Sequence, residues 1–191
     1  MKLLVCAMEA SSNIHLKELK KYLNNDVELV GVFDKELGNP LYDLTALAIM
    51  GIVDALKKLR FFFKLRDELV DLAKDSDKVL LMDSSGFNLP LAKKLRETYP
   101  NKEIIYYILP QAWAWKKGRV AKLEKYCTKL CSIIPFESEM YSDKNKITYV
   151  GHPLLDEIED FKEELSNTNK IAFMPGSRKT EITNLMPIFR E

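Results

Sequence analysis

Histidine and cysteine, the side chains that hold most transition metals in proteins, are scarce in this sequence. There are two histidines, His15 and His152, and three cysteines, Cys6, Cys127 and Cys131. Neither histidine lies at ligand spacing from Cys127 and Cys131, so the pattern does not indicate a zinc site. An odd number of cysteines without paired spacing is typical of a reducing compartment, the cytosol. We therefore expect buried, apolar cysteines and no metal site.

Charge of one sign and long apolar runs are also missing. The 191 residues include 29 basic and 28 acidic side chains, a net charge of +1, so no overall field attracts nucleic acid. The apolar segment 1–8 is too short for a signal peptide, and no stretch is long enough to cross a bilayer. With 47% hydrophobic and 30% charged residues, the composition is that of a soluble globular protein.

The glycine motifs that bind nucleotides in many α/β proteins are absent as well. No G-x-G-x-x-G follows the first predicted strand, which argues against a dinucleotide-binding dehydrogenase. The segment 175–181 lacks the lysine spacing of a P-loop. It still places a glycine turn and an arginine at the start of a predicted helix, which suits a diphosphate. Gly176, Ser177 and Arg178 are therefore candidate nucleotide-binding residues.

What the sequence does contain is a series of short apolar runs, each followed by a polar loop and, in most cases, by a helical pattern. This alternation predicts an α/β fold with a Rossmann-like parallel sheet and helices on both faces. The predicted strands cover residues 3–7, 27–33, 79–82, 103–109, 130–134, 147–150 and 170–174.

The clearest of these units surrounds Asp83. The apolar run 79–82 stops at this carboxylate, and a helix that turns Leu91, Ala92 and Leu95 inward follows, with Asn88 as its predicted N-cap and Pro90 in its first turn. Asp83 then lies at the carboxyl end of its strand, the edge at which open α/β sheets bind ligands. It is a candidate catalytic residue, or a carboxylate that caps the following loop.

Polar residues also follow the first predicted strand. Residues 9–13 form a predicted turn before a helix with Leu16, Leu19 and Leu23 on one face. Ser11, Ser12 and Asn13 cap this helix, or they bind an anion together with its free N–H groups; the sequence leaves both roles open.

The predicted helix 52–73 has an unusually wide apolar surface. Five basic residues and one acid lie between 52 and 66, around three consecutive phenylalanines. One interpretation is a face that rests on anionic lipid. The other is a helix packed between the sheet and a neighbour, with its basic side chains reaching water. The candidate membrane-facing residues are Leu56, Leu59, Phe61, Phe62 and Phe63.

Both tryptophans lie in one loop, next to basic residues. Trp113 and Trp115 are followed by Lys116, Lys117 and Arg119. Such a segment stacks bases, binds a sugar or contacts lipid head groups. Alternatively, the tryptophans pack the loop and the basic residues begin a solvated helix.

The chain changes character after residue 156. Residues 1–156 form the predicted Rossmann-like domain, and the acidic, polar segment 157–169 is a predicted linker. Residues 170–191 contain one predicted strand and part of a helix, which cannot bury a core alone. We therefore expect residues 170–191 to be the start of a second, truncated domain.

Several blocks together resemble the lipid-A-disaccharide synthase family, which comprises inverting glycosyltransferases of the two-domain GT-B type. Residues 8–13 resemble G-E-A-S-G-D, residues 50–56 resemble M-G-I-V-E-V-L, and residues 83–88 resemble D-x-P-D-F-N. The segments 113–120, 130–137, 151–153 and 175–178 fall where the family has similar motifs. The departures are Met8, Ser12, Asn13, Phe33, Asp34, Ser85 and Gly86.

The resemblance implies transfer of a diacylglucosamine from a UDP donor to a diacylglucosamine 1-phosphate, giving a β(1→6) disaccharide and UDP. It implies Asp83 as the general base, with Glu9 sharing that task or orienting the acceptor. Gly176, Ser177 and Arg178 would bind the diphosphate, with no metal and no cofactor. The implied substrate contacts are Ser11, Ser12, Asn13, Met50, Asn88, Trp115 and Arg119.

The implied partners are a UDP-sugar lipid donor, a monosaccharide lipid acceptor and the membrane surface, but no nucleic acid. The implied location is cytoplasmic and peripheral, on the inner face of the inner membrane, and a homo-oligomer is compatible with the sequence. Residues 1–191 alone are expected to be inactive. The alternatives are another UDP-sugar-dependent GT-B enzyme, a UDP-sugar epimerase, and a non-catalytic membrane-surface binding module.

Overall fold

The computed structural model describes residues 1–43, 55–156, 158, 171–176 and 179–190, the helical residues 55–58 by their backbone only. The chain divides into two compact units, Met1–Ile158 and Glu159–Glu191. The predicted division into 1–156, 157–169 and 170–191 stays a prediction.

The first unit is built on a single parallel sheet. Its strands are β1 (Lys2–Ala7), β2 (Glu28–Phe33), β3 (Tyr42–Asp43), β4 (Lys78–Met82), β5 (Glu103–Tyr107), β6 (Lys129–Ser132) and β7 (Ile147–Tyr149). Their order is β3-β2-β1-β4-β5-β6-β7, and every neighbouring pair is parallel. The predicted Rossmann-like sheet is confirmed.

Helices connect most of these strands. They are α1 (Ala10–Lys20), α2 (Ala55–Ala73), α3 (Ser85–Thr98) and α4 (Gly118–Tyr126), and the second unit contains α5 (Lys179–Phe189). Short 3₁₀ turns cover Lys35–Leu37, Pro135–Met140 and Pro153–Asp156. The start of α2, predicted at residue 52, lies outside the described residues.

Apolar side chains bury both faces of the sheet, because successive residues of a strand point to opposite sides. Val79 and Leu81 of β4 belong to a cluster that also contains buried leucines of α2, α3 and α4. Leu80 and Met82 belong to a second cluster, which contains Leu16 of α1. The predicted helices on both faces are therefore confirmed.

The strand order reverses between β1 and β4, which are hydrogen-bonded neighbours. Ala7 pairs with Met82, so the residues that follow the two strands leave the sheet at the same level. From there the chain runs to opposite faces, into α1 on one side and α3 on the other. This is the switch point at which doubly wound sheets bind ligands.

The predicted start of α3 is wrong. The helix begins at Ser85, with Ser84 as the N-cap residue, and Asn88 is fully buried inside it. The Asn88 side-chain amide donates hydrogen bonds to the main-chain oxygens of Met82 (2.9 Å) and Asp83 (3.0 Å). It thus ties α3 to the end of β4, while Leu91, Ala92 and Leu95 are buried as predicted.

The predicted caps of α1 are wrong as well. The helix begins at Ala10, and Glu9 is its N-cap residue, without a side-chain cap hydrogen bond. Asn13 lies in the first turn, and its amide donates to the carbonyl oxygens of Ala7 and Glu9, both at 2.9 Å. Its Oδ1 accepts from the Asp34 N–H at 2.7 Å, so Asn13 joins the ends of β1 and β2.

The second unit differs from the prediction in one element. Residues 171–174 were predicted as part of a strand, but they form none in the described structure. A strand needs a neighbouring strand for its main-chain hydrogen bonds, and the described residues of this unit offer none. The ring of Phe173 instead packs against that of Phe189 of α5, with 5.1 Å between their centroids.

Candidate active site

Two carboxylates meet at the switch point. Glu9 follows β1 and Asp83 follows β4, and the Ser84 hydroxyl donates a hydrogen bond of 2.8 Å to Oε1 of Glu9. Glu9 is exposed, whereas Asp83 is half-buried. We call Glu9, Asp83 and Ser84 the carboxylate site. The structure places the two predicted catalytic residues side by side, and their roles stay predictions.

The surroundings of Asp83 make it a stronger base than an ordinary aspartate. Burial raises the pKa of Asp83, and so do the negative charge of Glu9 and a hydrogen bond with its side chain. The main-chain N–H of Ser84 opposes these effects and lowers the pKa. Two carboxyl groups this close hold a proton between them more readily than either would alone.

The backbone at Asp83 and Ser84 is strained. Their φ angles are 50° and 38°, in the left-handed region that non-glycine residues rarely adopt. Two buried side chains hold this turn, because the Tyr106 hydroxyl and the Asn88 amide both donate to the carbonyl oxygen of Asp83. Strain of this kind persists only where surrounding groups fix it, as they do here.

Tyr106 links the carboxylate site to the following strand. It is fully buried in β5, and burial raises its pKa well above the ordinary tyrosine value. The charge of Asp83 acts in the same direction, and the charge of Arg119 acts in the opposite direction. Arg119, a predicted substrate contact, therefore lies within electrostatic reach of the same hydroxyl as Asp83.

The two tryptophans have different surroundings. Trp113 packs edge-on against Phe136, with ring centroids 5.3 Å apart. Trp115 is 57% exposed, with the Lys116 ammonium 4.6 Å and the Arg119 guanidinium 5.3 Å from its ring centroid. Trp113 thus packs its loop, whereas Trp115 exposes its ring with two cations beside it, and its role as a substrate contact stays a prediction.

Helix α2 divides its apolar residues between the core and the surface. Leu65, Leu69 and Val70 are buried in the core cluster, whereas Leu59 and Phe63 are 53% and 49% exposed. Of the candidate membrane-facing residues, Phe61 and Phe62 are half-buried against the core, and the side chain of Leu56 is not described.

The other predicted contacts are distributed unevenly. Ser11 is exposed at the start of α1, whereas Ser12 is fully buried, and its hydroxyl has no hydrogen-bond partner among the described residues. Asn13 and Asn88 hold the turns after β1 and β4 through hydrogen bonds from their side-chain amides to main-chain oxygens. Gly176 belongs to the second unit and has a left-handed φ of 92°. Met50, Ser177 and Arg178 lie outside the described residues.

The cysteines are packed as apolar groups. Cys6 and Cys127 are buried, and burial raises the pKa of Cys127 to about 12. Cys131 is half-buried. In the part of the chain that the structure describes, no group of three or more potential metal ligands comes together.

Two residues of this site were missed from the sequence. Ser84 contacts Glu9, and Tyr106 holds the main chain of Asp83. One signal for Tyr106 was available, because a tyrosine in a buried strand needs a partner for its hydroxyl. Nothing in the sequence identified that partner.

The chain is similar to known proteins over almost its whole length. The family model for lipid-A-disaccharide synthetase matches residues 3–191. The chain belongs to this family. It is 52% identical over 187 residues to the lipid-A-disaccharide synthase of Helicobacter pylori (strain HPAG1), and this match covers 98% of the chain and 51% of that protein.

Further relatives bear the same name. The synthase of Helicobacter acinonychis (strain Sheeba) is 50% identical over 189 residues, 99% of this chain and 51% of the relative. That of Campylobacter jejuni (strain RM1221) is 44% identical over 209 residues, and the match covers 98% of this chain and 57% of the relative. The resemblance inferred from the motifs is confirmed, and the chain spans about half the length of these curated relatives.

None of the described helices combines the length and the apolar character needed to cross a membrane.

Proposed function

We propose that the protein containing this chain is a lipid-A-disaccharide synthase. It joins a UDP-linked diacylglucosamine to a diacylglucosamine 1-phosphate, with release of UDP. The observation that supports this proposal most is the pair of adjacent carboxylates, Glu9 and Asp83, at the switch point of a sheet that belongs to this family. The activity requires more than residues 1–191, which we expect to be inactive alone.

Asp83 is the proposed general base. The 6-hydroxyl oxygen of the acceptor attacks the anomeric carbon of the donor, the bond from that carbon to the UDP oxygen breaks, and the hydroxyl proton passes to Asp83. The pair of electrons leaves with UDP. Attack on the face opposite the leaving group inverts the configuration. A positioned base typically accelerates such a step by about 10²–10⁴-fold.

Glu9 assists in this proposal. Its negative charge raises the pKa of Asp83, so a carboxyl group that would be a weak base becomes better suited to neutral pH. Its contact with the Ser84 hydroxyl also fixes its position. Glu9 therefore orients the acceptor hydroxyl and shares the transferred proton with Asp83.

The leaving group is the second charge that the enzyme must stabilise. Gly176, Ser177 and Arg178 precede α5, whose N-terminal N–H groups favour an anion. We assign the diphosphate of UDP to this turn, with Arg178 as its cation in place of a metal ion. The assignment predicts turnover that EDTA does not reduce.

The substrates carry acyl chains, so the enzyme must work at a membrane. Leu59 and Phe63 are exposed on α2, and the same helix exposes Arg60 and Lys64. Exposed apolar and cationic side chains on one helix suit a surface of anionic lipid. The proposed location is peripheral, on the cytoplasmic face of the inner membrane.

The test is a turnover assay on a full-length protein that contains this chain, with the UDP-linked donor and a radiolabelled acceptor. The account predicts equal amounts of labelled disaccharide and UDP, a β linkage by NMR, and no loss of rate in EDTA. Another UDP-sugar enzyme would leave this acceptor unchanged. A binding module would retain both lipids without releasing UDP, and either result would reject the proposal.

A further inference from the structure

A groove separates α2 from α3 on the outer surface of the first unit. Its volume is about 450 Å³. Leu59, Phe62 and Phe63 line it from α2, and Gly86, Phe87 and Pro90 line it from α3. With apolar side chains on both walls, it suits a hydrocarbon chain better than a sugar or a nucleotide.

The wall of the groove is preformed. Phe62 contacts Phe87 across the groove and Phe61 along α2, with ring centroids 5.8 and 5.7 Å apart. Phe61 in turn meets Tyr42 edge-on at 5.6 Å. This row of rings packs against the core, which holds one wall of the groove in place.

One residue that lines the groove is close in sequence to the carboxylate site. Gly86 is three residues beyond Asp83 and two beyond Ser84, whose hydroxyl contacts Glu9. A Cβ atom at Gly86 would meet nothing within 4 Å, so the space beside this residue is open. The apolar groove therefore lies beside the first turns of α3, the helix that directly follows Asp83 and Ser84.

A cation that is paired with a carboxylate lies beside this groove. Arg66 also lines the groove, and its guanidinium is 5.1 Å from the ring centroid of Phe63. Arg60 and Lys64 are exposed on the same helix. Arg66 is paired with Asp67 at 2.9 Å and Lys64 with Glu68 at 3.5 Å, so a phosphate on the ligand would compete with these carboxylates for the two cations.

We propose that this groove binds an acyl chain of the acceptor lipid and that the open space at Gly86 admits it. The inference rests on the proposed function and adds a specificity-determining position to it. The acceptor is favoured over the donor because its hydroxyl must contact Asp83, three residues before Gly86, which lines the groove. A site that holds several methylene groups discriminates strongly between long and short chains.

The test fills the groove in the full-length protein. Gly86→Leu places a side chain in the open space, and Gly86→Ala places only a methyl group there. Lys94→Leu is the matched control, because it adds the same apolar side chain at an exposed position of α3 outside the groove. The readout is the ratio of kcat/KM for an acceptor with long acyl chains to that for an acetylated analogue.

The proposal predicts that Gly86→Leu lowers this ratio by about tenfold or more. Gly86→Ala should lower it less, and Lys94→Leu should leave it unchanged. An equal loss with both acceptors, or no loss with either, would overturn the proposal. A loss of binding to anionic vesicles without a change in the ratio would show that the groove contacts only the membrane, which also overturns it.

A direct binding measurement separates this inference from the proposed reaction. A fluorescent polyene fatty acid should bind the unsubstituted protein and the Lys94→Leu variant, but bind Gly86→Leu at least tenfold more weakly. If this difference is found and no disaccharide forms, the acyl site stands and the proposed reaction fails. If the three proteins bind the probe equally, the acyl site is rejected whatever the turnover.

Discussion

Asp83 combines three properties that a purely structural residue does not need. It has a left-handed φ, a raised pKa and a neighbouring carboxylate, all at the carboxyl edge of the sheet. Each of these lowers the stability of the fold, so they are typical of a residue retained for function. The stability of Asp83 variants is therefore as informative as their activity.

Replacing Asp83 with asparagine should stabilise the protein at neutral and alkaline pH. Because folding raises the pKa of Asp83, its contribution to stability is full below the ordinary value of about 3.9 and is lost as pH rises through the raised value. Asparagine does not ionise, so the variant does not lose stability at this position as pH rises. We expect a higher Tm for Asp83→Asn at pH 8 and no advantage near pH 3. A lower Tm at pH 8 would contradict this reading of the site.

Tyr106 should act as a positioning residue. Tyr106→Phe removes the hydroxyl that holds the main chain of Asp83, at a cost of about 1 kcal/mol in stability. We expect kcat to fall by roughly tenfold with little change in KM, because the substrate contacts remain and the base is displaced. The control is Tyr107→Phe, in the same strand but half-buried on the other face. Equal effects of the two substitutions would rule out the positioning role.

At the scale of elements, α2 is both a core helix and a surface helix. The structure buries some of the apolar residues of α2 in the core and exposes others, and contact of the exposed ones with lipid stays a prediction. Leu65 and Leu69 pack on the sheet, Phe61 and Phe62 form the row of rings, and Phe63 points outward. The sequence could not assign each phenylalanine, because three in succession extend around most of a helical turn.

Serine substitutions in α2 should separate the two parts of the helix. Phe63→Ser in the full-length protein should weaken binding to anionic vesicles by roughly tenfold and leave the circular dichroism spectrum unchanged. Leu69→Ser should unfold the protein, because it places a hydroxyl and a cavity in the core. If Phe63→Ser also unfolds the protein, the exposed surface of α2 is part of a packed interface.

Strands β1 and β2 approach each other closely at Gly31. This residue has a φ of 121°, and a Cβ atom there would overlap the carbonyl oxygen of Val5. Gly31→Ala should therefore lower the free energy of unfolding by about 2–4 kcal/mol. Gly118→Ala is the control, since a Cβ meets nothing within 4 Å at that position. Equal urea midpoints for the two variants would contradict the close approach.

At the scale of the whole molecule, the sequence predicted the long buried strands of the sheet better than the short strand β3 and the segment 171–174. Apolar runs such as 79–82 identify strands buried on both faces, and the polar residues after them identify the carboxyl edge of the sheet. The two-residue strand β3 has no such run, and the segment 171–174 has one but lacks a neighbouring strand in the described structure. Strand pairing is non-local, so a local pattern does not report it.

The site shows the same division. The proximity of Glu9 and Asp83 could be predicted, because each follows its own strand and parallel strands end together, whereas their roles stay predictions. Ser84 contacts Glu9 through one rotamer of its side chain, and Tyr106 contacts the main chain of Asp83 from the neighbouring strand β5. Both contacts depend on strand register and side-chain packing, which a local sequence pattern does not report. The starts of α1 and α3 were predicted too late, because Asn13 and Asn88 resemble caps but bond to main-chain oxygens from inside their helices.

The proposed reaction is tested most directly by the turnover of Asp83→Asn in the full-length protein, with donor and acceptor saturating and the folded state verified by Tm. The account predicts that kcat falls by about 10²–10⁴-fold, while KM for the acceptor changes little. Disaccharide synthesis by Asp83→Asn at the unsubstituted rate would contradict it.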